Sequence, residues 1–204
     1  MAMEIAGRGI ALRDFTMGDL PARMRWETQE TEWKRWDAPW ERLARDEARQ
    51  AAHIEELRTL LHARARLNMS LSEAEPRHGF EIYSLSPRQN IGWVSSYFLA
   101  EDCAISETAT GRVAVGIDIP PSDCRGKGYG KAALGQFVAY LLEAGRRELY
   151  TQTWSGNKAM VLLANSLGFE PFHRRPNLRE VDGERFDGLT FKLNVDKFEE
   201  IWNR

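Results

Sequence analysis

The stretch Asp123–Leu134, DCRGKGYGKAAL, sets glycines at 126, 128 and 130, with Arg125, Lys127 and Lys131 interleaved. What surrounds it is regular. RVAVGIDI, from Arg112, alternates as a strand does and is stopped by Pro120 and Pro121, which forbid continuation. After the glycines, Leu134, Phe137, Val138, Leu141 and Leu142 fall on one face of an amphipathic helix, with Gly145 as its stop. The glycines thus form an open, positive backbone at the mouth of a helix. Amides at a helix N-terminus lack intrahelical partners and feel the positive end of the dipole, and an anion satisfies both. Without Cβ atoms in the way, that anion can approach closely. The stretch reads as a phosphate or pyrophosphate site; the alternative is a glycine-rich turn with solvated cations. The P-loop spacing GxxxxGK[ST] is absent, and GxGxG is not the GxGxxG of a dinucleotide fold.

The remaining pattern gives the class. GIALRDF, from Gly9, reads as a first strand, and MGDLPARMRWETQETEW opens a helix with Asp19 placed to cap and Pro21 in the first turn. Pro39–Leu67 lacks internal Gly and Pro and reads as one long helix, broken at Ser72–Gly79. Strands follow from Phe80 and Ile91 around a PRQN turn, then the strand from Arg112. Beyond the glycine helix come a strand from Glu148, a helix from Asn157 ending near Gly168, two strands around Val181–Glu184, and a helical tail. Strand, two helices, three strands, helix, strand, helix, two strands is an α/β order with a mixed sheet.

Composition narrows the use. The chain has 204 residues with 43% hydrophobic, enough for one real core. Its formal net charge of -2 argues against broad nucleic-acid binding, which needs a basic face. Cys103 and Cys124 show no CxxC spacing, so neither a metal site nor a disulfide framework is expected. The N-terminal residues carry no long apolar segment, and no run of about 18 apolar residues occurs, so neither a secretory leader nor a membrane span is expected. These features point to a cytoplasmic protein.

RGKGYGKAAL resembles the RGxGxG/A loop that holds the acyl-CoA pyrophosphate in the GNAT superfamily of N-acetyltransferases. VGIDIPPSDC before it is similar to that family's fourth strand and its proline-containing exit. Asn157 with Leu167-Gly168-Phe169 resembles its N…LGF signature. LRDFTMGDLP is similar to the start of the branch that holds the ribosomal-protein alanine acetyltransferases. The resemblance implies an α/β (α+β) fold with a mostly antiparallel central sheet of about six to seven strands, flanked by helices, with splayed fourth and fifth strands. It implies one domain over residues 1–204: an N-terminal strand and acceptor-side helices (9–78), an acyl-CoA-binding core (79–195) and a helical tail (196–204).

Acetyl-CoA is then the co-substrate, with no metal. The resemblance places its pantetheine arm along Ile117, Asp118 and Ile119 and its pyrophosphate on Arg125, Gly126, Lys127, Gly128, Tyr129, Gly130 and Lys131. Asn157 matches the asparagine that hydrogen-bonds the pantetheine; a helix cap is its other role. The tyrosine that protonates the leaving thiolate in many members is replaced by Ala164, and a fourth-strand glutamate of some members by Ala114. Asp118, Glu81 and Ser166 are the remaining catalytic candidates. Cys124 lies at the pyrophosphate end of the template, which argues against a covalent intermediate.

The span Trp26–Glu41 holds Trp26, Trp33, Trp36 and Trp40 among Glu27, Glu30, Glu32, Asp37 and Glu41. Aromatic faces and carboxylates suit a cationic amine, so Trp33, Trp36 and Trp40 are acceptor-site candidates; ordinary packing is the alternative. The expected acceptor is a small-molecule amine or a peptide N-terminus, handled by a monomer or homodimer without nucleic acid or membrane. A non-catalytic acyl-CoA sensor of the same fold is the alternative function.

Overall fold

The computed structural model describes residues 3–43, 46–72 and 75–203 and forms two compact units, Met1–Trp93 with Asp118–Tyr129, and Val94–Ile117 with Gly130–Arg204.

In the first unit, β1 (Glu4–Gly7) and β2 (Ile10–Arg13) form a hairpin around Arg8 and Gly9, both at positive φ. β2 then pairs antiparallel with β3 (Gly79–Leu85), setting Leu12 opposite Ile82 and Arg13 opposite Glu81. β3 turns into β4 (Arg88–Leu99), whose first residues to Trp93 complete the unit's strand order β1-β2-β3-β4. Ile10, Leu12, Phe80, Ile82 and Ile91 are fully buried on this sheet, as are Ala11 and Glu81 between them, so both of its faces are covered there.

Three α-helices of this unit lie among the described residues: α1 (Leu20–Thr28), α2 (Pro39–Leu43) and α3 (Glu47–Ser70). Asp19 precedes α1 but does not cap it. Its carboxylate accepts from the Thr16 backbone at 2.8 Å and pairs with Arg13 at 2.6 Å. The helix expected over Pro39–Leu67 is two helices. Asp46 is extended and accepts the Arg49 amide at 2.8 Å, so it starts α3 anew; residues 44 and 45 lie outside the described residues. Of the apolar residues of α3, Leu61 is buried with Ala65 against Phe15, whereas Leu60 is 59% exposed. Asn68 fixes α3 by donating to the Phe15 carbonyl at 3.1 Å. The expected break at Ser72–Gly79 includes residues 73 and 74, outside the described residues; Arg77 beyond it forms a buried ion pair with Asp14 at 3.2 Å.

The second unit carries the strand order β4-β6-β7-β9-β8, with two-residue β5 (Ile105–Ser106) on β4. β6 is Arg112–Asp118, β7 Glu148–Trp154, β8 Phe169–Val181 and β9 Glu184–Leu193. β8 and β9 meet around Asp182 and Gly183, both at positive φ, as the Asp-Gly of a two-residue hairpin requires. Nine strands are found among the described residues, beyond the six or seven expected, because β1 and β5 are short additions. The class is the expected one: mixed α/β, mostly antiparallel, flanked by helices.

β6 and β7 are parallel neighbours over only Arg112↔Glu148, Val113↔Leu149 and Ala114↔Tyr150. Beyond that point the Thr151 hydroxyl donates to the Val115 carbonyl at 2.8 Å, a side chain standing where a backbone rung would be. α4 (Tyr129–Glu143) buries Leu134, Phe137, Val138, Leu141 and Leu142, the expected face. α5 (Lys158–Ser166) is followed by Gly168, and α6 (Val195–Trp202) packs on α4 through Gly135. A Cβ at Gly135 would lie 2.2 Å from the Trp202 ring. Gly135→Leu should therefore expel Trp202 and destabilise the fold by roughly 1–3 kcal/mol, seen as a lower Tm.

Candidate functional site

The glycine loop is built by local backbone. A single 3-10 turn at Ser122–Cys124 follows the prolines, Gly126 and Gly128 take φ of +74° and +86°, and α4 begins at Tyr129. These φ values are strained for any residue with a side chain. A Cβ built at either glycine meets nothing within 4 Å, so space for a ligand lies above both. Arg125 at the loop's start forms an ion pair with Glu32 and reaches towards the Pro120 carbonyl. Lys127 sits within the loop, and Tyr129, Gly130 and Lys131 belong to the first turn of α4. Cys124 is buried and bonded by Gln89, and burial, followed by the Asp123 charge, raises its thiol. A protonated thiol is no nucleophile.

Asn157 caps α5: its side-chain oxygen accepts the Met160 amide at 3.0 Å. Ser166, at the other end of α5, donates back to the Leu163 carbonyl at 2.8 Å. Ala164 and Ala114 are fully buried. Ile117 lies in β6 past the last β6–β7 pair, and Asp118 and Ile119 continue it to Pro120.

The first unit holds a half-open cavity of about 260 Å³. Arg23, Glu27, Trp33, Lys34, Asp37, Ala38, Glu41, His53, Leu57, Trp93 and Asp118 line it. Of the sequence-stretch candidates this brings Trp33 and Asp118 together. Trp36 is 44% exposed with its indole on Glu32, and Trp40 stands half-buried on α2 outside the lining. Glu81 is fully buried behind the cavity, 3.8 Å from Arg23 and accepting from Asn90 at 3.1 Å. Ser166 belongs to the second unit.

The charges in the cavity divide into two groups. Glu27 is occupied: Lys34 donates to its carboxylate at 2.6 Å, and His53 stands 3.5 Å away. Asp37 and Asp118 are instead both raised. Burial, then Asp37 and Glu27, push the Asp118 carboxyl well above the usual range, with Arg23 and a hydrogen bond to Trp93 opposing. Asp37 keeps an exposed face at the rim; burial of its carboxyl, then Glu41 and Glu27, push it up to about 6. Arg23 lies 3.5 Å over the Trp93 ring, a cation–π contact, and Trp33 meets the same ring edge-on at 5.3 Å.

Gly92 makes this arrangement possible. A Cβ there would fall 2.0 Å from the Asp118 carbonyl oxygen, so only glycine lets β4 approach the end of β6 so closely. Trp93 and Arg23 carried no motif in the sequence. The Gly-Trp pair of IGWVSS was the one available signal, since glycine in a strand marks a close backbone approach. Among the described residues no three of His, Cys, Asp and Glu are grouped to hold a metal ion, and no helix is long and apolar enough to cross a membrane.

The fold is shared with solved acetyltransferases. The ribosomal-protein-S5-alanine acetyltransferase from Vibrio fischeri is 14% identical with a TM-score of 0.65, over 95% of this chain and 98% of that one. The ribosomal-protein-alanine N-acetyltransferase from Brucella melitensis is 20% identical with a TM-score of 0.58, over 90% and 97%. The protein yncA from Salmonella typhimurium, whose structure holds acetyl-CoA, is 17% identical with a TM-score of 0.59, over 94% and 95%. No curated protein matches the chain. The family described as Acetyltransferase (GNAT) domain matches residues 10–170. Its glycine loop, short β6–β7 pairing and match over most of its length make this chain a member of the GNAT acetyltransferase family.

Proposed function

We propose that the protein is an acetyl-CoA-dependent N-acetyltransferase that passes the acetyl group to a primary amine, of a peptide N-terminus or a small molecule, by direct attack in a ternary complex. The observation that carries this is Asp118: it ends β6, the strand assigned to the pantetheine, and it lines a cavity walled by tryptophan and acidic side chains. Acetyl-CoA supplies an activated acetyl thioester. The open space over Gly126 and Gly128, where the loop meets the N-terminus of α4, supports the pyrophosphate of that coenzyme at this loop.

An acceptor enters as an ammonium and is held by Asp118 and Asp37. Asp118 takes one proton, which it can do because its carboxyl holds protons more tightly than usual. The neutral nitrogen then attacks the carbonyl carbon, and a backbone N–H near Ile119 is the positional candidate to receive the oxyanion. The C–N bond forms, the C–S bond breaks and the thiolate leaves with its electron pair. With Ala164 at the usual acid position, protonation of that thiolate falls to water. Asn157 stays a cap whose amide can also meet the pantetheine.

The direct test is thiol release from acetyl-CoA against peptide N-termini, polyamines, aminoglycosides and small amines. Release that depends on one amine class supports transfer. Binding of acetyl-CoA without release to any amine supports the sensor reading, which draws on Ala114 and Ala164.

Gly128→Val should weaken acetyl-CoA binding roughly tenfold or more, about 1.4 kcal/mol, in a calorimetric titration while circular dichroism stays native. Unchanged affinity would remove the pyrophosphate from this loop. Asp118→Asn should lower kcat by roughly a hundredfold or more without weakening acetyl-CoA binding. In the unsubstituted protein the rate should rise with pH through a limb near or above 6, belonging to the Asp37–Asp118 pair, rather than near 4. A raised carboxyl also fixes the sign for stability: its contribution is whole below the unfolded value near 4 and lost as pH rises through about 6. Asp37→Asn should therefore raise Tm at pH 8 and leave it unchanged at pH 4.

A further inference from the structure

Three indoles pack together in the first unit, and their hydrogens go to different places. Trp93 of β4 meets Trp33 edge-on at 5.3 Å and Trp26 at 6.0 Å, with those last two rings tilted by 33°. An indole N–H donates and cannot accept. The Trp33 Nε1 hydrogen goes to the Trp26 carbonyl at 3.0 Å. Trp26 Nε1 is buried and has no hydrogen-bond partner among the described residues. The Trp93 side chain donates to the Asp118 carboxyl, and both residues line the cavity.

The Trp93 ring is held on several sides. Arg23 lies 3.5 Å over its face, and the two other indoles stand against it. The strand that carries it is pinned one residue earlier, where Asn90 accepts the Gly92 amide at 3.1 Å. At Gly92 the same strand runs so near the end of β6 that a Cβ would fall 2.0 Å from the Asp118 carbonyl oxygen. A donor on a strand with its ring packed this way keeps its direction.

We propose that Trp93 is a positioning residue for acetyl transfer: its indole N–H holds one oxygen of the Asp118 carboxyl, so that the other oxygen takes the acceptor's proton. This deepens the acetyl-transfer reading and rests on it. The charges acting on Asp118 are Arg23 and Glu27 of α1 and Asp37 ahead of α2; Lys34, Glu41 and His53 also line the cavity. Those charges set how tightly the proton is held, whereas a hydrogen bond also sets which oxygen holds it. An indole suits this because it stays neutral while the carboxyl titrates. It bonds one oxygen of the ionised group and keeps that bond when the proton sits on the other oxygen. A guanidinium bonded there would pull the carboxyl down further and leave a weaker base. Arg23 over the ring also draws on its electrons, which strengthens the N–H as a donor.

The proton step balances. The ammonium N–H bond breaks, its electron pair stays on nitrogen, and an O–H bond forms on the Asp118 oxygen that Trp93 leaves open. Trp93 gives up no proton. Overall, one ammonium and one acetyl thioester give one amide, one thiol and one proton.

The test is Trp93→Phe, which keeps a ring under Arg23 and removes the donor. A hydrogen bond to the ionised carboxyl favours that form, so losing it should move the rising limb of kcat up by roughly one pH unit. The plateau kcat should fall roughly tenfold or more as the carboxyl loses its direction, with acetyl-CoA affinity unchanged. A purely structural role would lower Tm or raise KM and leave the limb in place. A second readout needs no turnover. In ¹⁵N-tryptophan-labelled protein the Trp93 indole resonance should move as Asp118 titrates, and Asp118→Asn should remove most of that movement. Trp33, bonded to a backbone carbonyl, is the internal control. A limb that stays put in Trp93→Phe but disappears in Asp118→Asn overturns the inference and leaves acetyl transfer intact. Where Trp93→Phe does not fold, the indole titration decides: a movement lost in Asp118→Asn upholds the inference, and a flat resonance overturns it. If acetyl-CoA binds but no amine is acetylated, the transfer reading fails and the positioning role falls with it.

Discussion

A guanidinium taken out of water must be compensated from several directions, and in the first unit much of the geometry follows from doing this for Arg23. α1 delivers it, Trp93 of β4 lies beneath it, Glu81 of β3 stands behind it and Asp118 shares its field. Burial pulls the group down from its usual value, and Glu81 is the first charge to oppose that. Glu81 is itself pushed up by burial and held by Arg23. Removing either partner would strand the other in a low-dielectric site, so each fixes the element that carries it. Asn90 extends the arrangement, donating to Glu81 and accepting the Gly92 amide at 3.1 Å. The glycine that admits the Asp118 backbone is thereby tied to the carboxylate that holds Arg23.

The glycines do a second kind of work elsewhere. At Gly126 and Gly128 the missing Cβ atoms leave open space over a positive helix mouth, whereas at Gly92 and Gly135 they admit another part of the protein. The first kind suits a ligand and the second suits packing. Thr151 makes a related substitution in the sheet, giving Val115 a side-chain donor where a β6–β7 rung would otherwise run. A parallel pair can then part after three residues without leaving that carbonyl orphaned.

What the sequence revealed was local, and what it hid was not. The glycine loop, the Asn157 cap, the Asp182-Gly183 turn and the apolar face of α4 each depend on residues within one or two turns of one another. Such spacing survives in a single sequence. The break before α3 was hidden because Asp46 sits among charged residues that equally suit a helix surface; only its extended backbone and its bond to Arg49 reveal a cap. Four tryptophans in one span looked equivalent by composition. The fold separates them, putting Trp26 in the core, Trp33 on the cavity and Trp36 in solvent. Arg23, Trp93 and Asp118 come from α1, β4 and the end of β6, and no spacing rule joins positions that far apart in the chain.

The two alanines sharpen the chemical argument. Ala114 packs with Leu99 and Tyr150, and Ala164 is wholly enclosed, so both positions serve the core and present no group that exchanges protons. Any acid–base work must then come from side chains elsewhere. Glu81 is sealed and committed to Arg23 and Asn90, and Ser166 is turned onto its own helix. Asp118 differs in lining the cavity, where burial and then the charge of its neighbour Asp37 keep its proton affinity high. A carboxyl so placed can receive a proton from an ammonium that an ordinary carboxylate would hold only as an ion pair. Under the proposed acetyl transfer, the acidic cluster that would be costly in a purely structural role would suit the cavity to a cationic amine.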